Sequence, residues 1–560
     1  MPMINPYWIA PIYQEETGQD YLGLRLVQEH MVDFLLPGII TITPRARYYA
    51  FYAWLLVEYA QEHPAGWSFN HFIKRREQIF GLASVAYDSS VVGLAGYQKF
   101  AIHWQLYQDA PEVPLTVDDY LQASRGGYDA YAGVMRTLGL VVEHENQRGW
   151  EVTLPGQELA TAFAQAIAGT GYYRGRRVYD EAESIETAVL QEYGAVCSLN
   201  LLSQHPDHLP TLERLFAFKT PFAPDPRQPE SERLGNMRGT LGLLLDMLAQ
   251  ADQPLHDDLF RRHVANASCA DYAAYRPADL LRPIADQWQM YQWRDSYSYG
   301  LYALWTYFLH WLKGVEKGTF AAFIEHVTAI LSPTAVATTL TVPLPNHDIS
   351  PLPLQQHLTD LLDATGLPPE SWRDRCRAFA AHSQTPLNPQ TLLERLTSLK
   401  PAAPEAAYLS HSWLLLVALY LRLSGVPQDT AAWHWAEEGD MRRRSLALFV
   451  AGMDQRRESG ASVQETWQWL FRDYVIAQHT LASLDKWRQR KANTFHFRYE
   501  DGWFEYVRDG RADLSASRIR QAIDMLHDLA LFDIDPETNR PFLTDLGQQT
   551  LQRILESADD

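Results

Sequence analysis

Cysteine is scarce in this sequence: Cys197, Cys269 and Cys376 are the only three in 560 residues, and no two stand at a pairing or metal-binding spacing. That excludes a disulfide framework and a thiolate metal site, and it suits a reducing compartment. Long hydrophobic runs are missing as well. A membrane span needs roughly 20 apolar residues in succession, and the richest stretch, Trp413 to Leu423, is interrupted well before that. The first thirty residues lack the basic flank and unbroken apolar core of a leader. These absences predict a cytoplasmic chain with no membrane partner.

Signature loops are absent too. No glycine-rich loop ends in Gly-Lys-Ser or Gly-Lys-Thr, no Gly-x-Gly-x-x-Gly follows a strand, and neither Gly-x-Ser-x-Gly nor His-Glu-x-x-His occurs. The commonest nucleotide-binding and hydrolytic classes are thereby excluded. His411, His434 and His479 are isolated in helical stretches, and His347-Asp348 lies among prolines. No metal and no cofactor is expected. Lysine is in short supply, 8 against 40 Arg, while 68 acidic residues bring the formal charge to -20. Such a balance repels a phosphate backbone at long range, so contact with nucleic acid would rest on local basic clusters.

What is present is helical periodicity, aromatic rings and two matching termini. Apolar spacing of three and four predicts a mainly α, multi-domain protein with short strands. Composition divides it into a helical head over 1–165, an aromatic-rich helical middle over 166–335, a helical domain with a proline-rich entry over 336–485, and a final domain over 486–560. Between Trp288 and Trp311 ten aromatic side chains crowd one helical segment, which suits a core or a partner surface. Phe495 to Glu500, Asp501-Gly502 and Trp503 to Val507 spell a β-hairpin.

Helix, strand, turn, strand and helix recur near 131–163 and near 519–554. The interval from Leu140 to Thr153 equals that from Leu531 to Thr544, and each Thr is followed three residues on by a Gly-Gln pair, Gly156-Gln157 and Gly547-Gln548. Both segments resemble winged-helix units. The resemblance implies a recognition helix after Leu514, capped by Ser515, with Arg518 and Arg520 in its early turns and Arg540 at the wing tip. Lys486, Arg488 and Lys491 form a basic run just upstream that could assist. The acidic company of Asp513, Asp524, Asp528, Asp533, Asp535 and Glu537 favours protein docking over a simple duplex reader.

Two further clusters carry chemistry. Thr43-Pro44 reads as a helix start, so Thr43, Arg45 and Arg47 form a candidate anion site beside free backbone amides. Arg490 and His496, at their spacing, resemble the catalytic arginine–histidine pair of the HEPN ribonucleases, which would imply RNA cleavage. The overall layout resembles kleisin-type subunits of chromosome-organising and plasmid-defence complexes. The sequence thus predicts a non-enzymatic scaffolding subunit of a nucleic-acid-associated bacterial complex, related to defence or to the chromosome, with a protein partner. The alternatives are a HEPN-like nuclease and a winged-helix transcription regulator.

Overall fold

Apolar positions set the helices and turn residues end them. Arg25–Leu35 buries Val27, Met31, Phe34 and Leu35, then stops at Pro37-Gly38, where Gly38 takes φ +79. The computed structural model describes residues 20–556 apart from 63–67, 117–119, 121–126, 144–149, 219–233, 346, 368–370, 402–403, 439–443 and 492. The chain is mainly α-helical, with short antiparallel strands. It divides into two interleaved units, Met1–Met31, Arg261–Arg276 and Ala285–Ser515 against Val32–Phe260, Pro277–Ile284 and Ala516–Asp560. Residues 486–560 are therefore shared between the units, parting at Ser515.

The second unit contains both helix–hairpin–helix segments. One runs Gly127–Thr137, Val141–Glu143, Trp150–Val152 and Leu154–Ile167; the other runs Ile519–Asp528, Phe532–Ile534, Pro541–Leu543 and Asp545–Glu556. Where both are described, the hydrogen bonds at the helix ends correspond. The leading helices close in the same way, Leu140 N–H donating to Met135 O (2.8 Å) and Leu531 N–H to Leu526 O (3.0 Å), around Gly139 and Ala530 at φ +64 and +53. Val141 pairs with Val152 as Phe532 pairs with Leu543. The hydroxyls of Thr153 and Thr544 each donate 2.7 Å bonds to the carbonyls of Gly139 and Ala530, and accept from Gly156 N–H and Gly547 N–H.

The echoing glycines have a steric cause. A Cβ on Gly156 would lie 2.2 Å from Leu140 O, and one on Gly547 would lie 1.8 Å from Leu531 O. The closing helices then bury Phe163 and Ile554 completely. Leu154–Ile167 packs along Arg47–Glu62, and Asp545–Glu556 along Leu234–Gln250.

In the first unit the helix Arg282–Val315 runs 34 residues. Its aromatic rings are all buried, from Trp288 at 0% exposure to Trp311 at 9%. The surplus of rings is core and offers no docking surface. Glu405–Ser424 is long and apolar enough to cross a membrane, but it is buried from Tyr408 to Leu423 inside this unit. The expected hairpin is present, Phe497–Glu500 against Trp503–Tyr506, with Asp501 and Gly502 at φ 50 and 84 as a type I′ turn demands. A strand the sequence did not announce, Lys317–Thr319, extends it to three. Val463–Trp469 continues through a π-helical stretch, Leu470–Ile476, into Ala477–Arg490.

Candidate interaction surfaces

The carboxy-terminal helix–hairpin–helix carries three of the expected arginines, and the structure separates them. Arg518 sits at the start of Ile519–Asp528 with φ +62; its guanidinium pairs with Asp33 (2.6 Å) and donates to Ile39 O (3.2 Å). Ser517, not Ser515, supplies the side-chain acceptor for Ile519 N–H (3.3 Å). Arg520 and Arg540 are exposed and make no ion pair with any described residue. Asp524, half-buried one turn beyond Arg520, has its carboxyl pushed up by desolvation against the pull of Arg520 and Arg45.

The far end of that helix is already engaged. Asp528, 6% exposed, takes Arg45 Nε and Nη2 at 2.8 Å each and also accepts from Ala46 N–H. His208 Nε2 bonds Leu529 O at 2.8 Å. Burial raises the Asp528 pKa while Arg45 lowers it, with burial the larger.

The hairpins face outward. Phe542 is 48% exposed opposite Asp533, and Val142 is 46% exposed opposite Glu151. Each wing therefore shows one apolar and one acidic side chain at the same register. Ile534 adds a second exposed apolar group, and Asp535 ties the tip by accepting from Glu537 N–H and Thr538 N–H. The tip of the first hairpin, with Arg148, lies outside the described residues, as does Arg125. A groove of about 700 Å³ borders the leading helix Gly127–Thr137, lined by Asp129, Gly133, Arg136, Ile40, Asp33 and Arg518 among others. Its charges are mixed in sign.

The anion site expected at Thr43, Arg45 and Arg47 is not formed. The helix starts at Arg47 instead of Pro44, and the fully buried Thr43 hydroxyl turns back to Ile40 O. Arg45 spends its donors on Asp528, Asn200 and Val92 O, and Arg47 on Asp207 (3.0 Å) and Ser198 O (2.7 Å), with both members of the Arg47–Asp207 pair at 0% exposure. Every guanidinium nitrogen of the two arginines already has an acceptor within the chain. Arg75 and Arg76, further along the chain, are likewise turned inward, Arg76 onto Asp180 and Glu58. Sequence reasoning missed Asp207 and Asp528 because no local pattern marks either as a partner.

The basic run before the hairpin belongs to the first unit. Lys486 donates to Asp20 O (2.6 Å); Arg488 is exposed beside Asp485 (3.9 Å); Lys491, exposed at φ +56, lies 5.1 Å over the Trp487 ring. The Arg490 side chain lies outside the described residues. His496 is 4% exposed, edge-on to Tyr21 and Trp305 at 4.9 Å, and burial pulls its pKa to about 4. It precedes a strand and is sealed from solvent, so it lacks the helical, open setting that a HEPN pair requires. Among the described residues no three His, Cys, Asp or Glu are grouped to hold a metal ion. Comparison with protein-family models, with characterised proteins and with solved structures finds no match to this chain.

Proposed function

We infer that this chain is a non-catalytic binding subunit whose two helix–hairpin–helix segments are winged-helix-like modules used to dock a protein partner. The observation that carries the reading is the exposed second wing: Phe542 beside Asp533 on its outer face, with Ile534 exposed toward the tip and Asp535 and Glu537 in the turn. Apolar groups fringed by acid suit a protein with a basic rim and repel a phosphate backbone. The engagement of Asp528 by Arg45 supports the same reading, since one end of the would-be recognition helix is occupied by the chain itself. A place in a cytoplasmic, nucleic-acid-associated assembly of the defence or chromosome class is part of this proposal.

The test is recovery of full-length protein from its native cell at mild salt, with mass spectrometry of what co-elutes. A stoichiometric partner should accompany the wild-type chain and the Arg520→Ala/Arg540→Ala variant, and be lost with Ile534→Asp/Phe542→Asp. A partner indifferent to the wing pair, or a lone chain that degrades RNA or DNA, would overturn the reading. Nucleic-acid contact is the second reading, favoured by exposed Arg520 and Arg540, which pair with no acid among the described residues. On that reading each lost arginine should lower the salt slope of binding by about one unit.

A further inference from the structure

Buried arginines in this protein are almost all matched. Arg47 meets Asp207, Arg76 meets Asp180 and Arg261 meets Asp295. Arg422, fully buried with no carboxylate, is served by Cys269 Sγ, Ala380 O and His382 O. Among the described residues, the buried arginine with the fewest acceptors is Arg294. At 1% exposure on the long first-unit helix it donates Nη1 to Trp435 O (3.0 Å), its Nε meets no acceptor, and it makes no ion pair with any described residue.

Its neighbours share the deficit. Tyr297, one turn on and at 0% exposure, has a hydroxyl without a partner. Arg444, half-buried and with an unpartnered Nε, directly precedes Ser445, the N-cap of Leu446–Ser459. Its guanidinium lies 5.1 Å over the Tyr474 ring, which issues from the π-helical stretch, and Phe449 joins the rings of Tyr297 (5.1 Å) and Tyr474 (6.0 Å). Phe449 thus bridges Tyr297 to the Tyr474–Arg444 pair, and the charges of Arg294 and Arg444 both act on the Tyr297 hydroxyl. Glu438, exposed, acts on Arg294 without ion-pair contact.

Holding a lone guanidinium out of water costs several kcal/mol unless an anion and further acceptors meet it. Two arginine forks, a phenol donor and the positive end of a helix are the groups that meet a tetrahedral oxyanion. We propose that Arg294, Tyr297 and Arg444 form a binding site for a phosphate-class oxyanion in the first unit. Burial draws the Arg294 pKa down to about 10, which leaves it cationic at neutral pH. The proposal does not depend on the docking reading.

The experiment uses the full chain exchanged into chloride. Melting is followed with rising potassium phosphate against potassium chloride at equal ionic strength, and binding is measured by calorimetry. Wild type should show a saturable rise with phosphate alone. Arg294→Gln and Arg444→Gln should each weaken binding about tenfold or more, since a hydrogen bond to a charged group contributes about 1.5–3 kcal/mol, and Tyr297→Phe should weaken it less. Should Arg294→Gln fail to fold, the other two variants decide. A nucleoside monophosphate competing at lower concentration than phosphate would mark a phosphorylated metabolite as the source, and equal or weaker competition a free ion. No saturable response in wild type, or unchanged affinity in the variants, would each overturn the proposal.

Discussion

Three histidines show what burial does to a single side chain. His357 is fully buried and accepts a bond from Trp413 Nε1 (3.2 Å), and desolvation brings its pKa to about 4. His479, which accepts from His496 N–H (3.2 Å), falls to about 3, and His496 to about 4, both chiefly by desolvation. All three rings are neutral in the folded chain at pH 5, whereas in the unfolded chain they take up protons near their ordinary 6.5. Depressed folded values mean stability that is present above about 6.5 and lost as pH falls toward 4 and then 3. Each ring contributes about 1.4 kcal/mol per pH unit to that slope. Urea midpoints between pH 7 and 5 should fall for the wild type, and His357→Gln, which keeps an acceptor for Trp413, should reduce the slope by roughly one ring's share. An unchanged slope would show that His357 is protonated in the fold. None of this was legible beforehand: His479 read as an isolated helical residue and His496 as half of a catalytic pair, because burial is decided by Tyr21 and Trp305, remote in sequence. Arg45 and Arg47 failed for the same reason, their partners Asp528 and Asp207 being far along the chain.

At the scale of the element, the sequence spoke more clearly. The Thr-x-x-Gly-Gln echo was visible because each letter has one job: the Thr hydroxyl bridges the leading helix's end to the closing helix, the Gly admits a carbonyl, and the Gln side chain reaches the strand's last carbonyl, Val152 O (3.3 Å) or Leu543 O (3.5 Å). The Asp501-Gly502 turn was legible on like grounds, needing two positive φ values. Helix starts were less so. Thr43 and Ser515 have the right chemistry for caps, yet Thr43 bonds backward and Ser517 sits closer to the first amide of its helix. Gly156→Ala and Gly547→Ala should each cost about 1–3 kcal/mol, the range for overpacking, and more where the carbonyl cannot retreat. Chemical denaturation of the two variants checks this. Gly133→Ala, at an exposed position where a Cβ would meet nothing within 4 Å, is the control and should be neutral or slightly stabilising. Equal midpoints for all three would mean that the glycine in the echo is incidental.

For the whole molecule, composition and contact lead to different divisions. Proline-rich breaks and shifts in residue type suggest consecutive domains, the last of them 486–560. Contacts instead group Ala516–Asp560 with Val32–Phe260 and leave the hairpin with the other unit. The reason lies in which apolar faces need each other. Ile554, fully buried, reaches the Leu234–Gln250 helix at Gly242, where a Cβ would stand 3.1 Å from its Cγ2. Asp528 draws its partner from Arg45 at the opposite end of the sequence. Cut away from these, residues 486–560 keep their local turns and caps but have nothing to cover Ile519, Met525, Leu526 and Ile554, and a fragment of this size has little core to spare. Expressed alone, 486–560 should therefore be largely unfolded, with weak far-ultraviolet circular dichroism at 222 nm and rapid amide exchange. The chain ending at Ser515 leaves the Leu234–Gln250 helix without the closing helix that packs along it, and it should be recovered aggregated or not at all. Adding the separate 516–560 peptide during refolding should restore part of the soluble yield, because the missing surface is a contiguous piece of chain. A stable, cooperatively melting 486–560 fragment would instead vindicate the division by composition and show that the contacts to Leu234–Gln250 and Arg45 contribute little to holding the terminal segment folded.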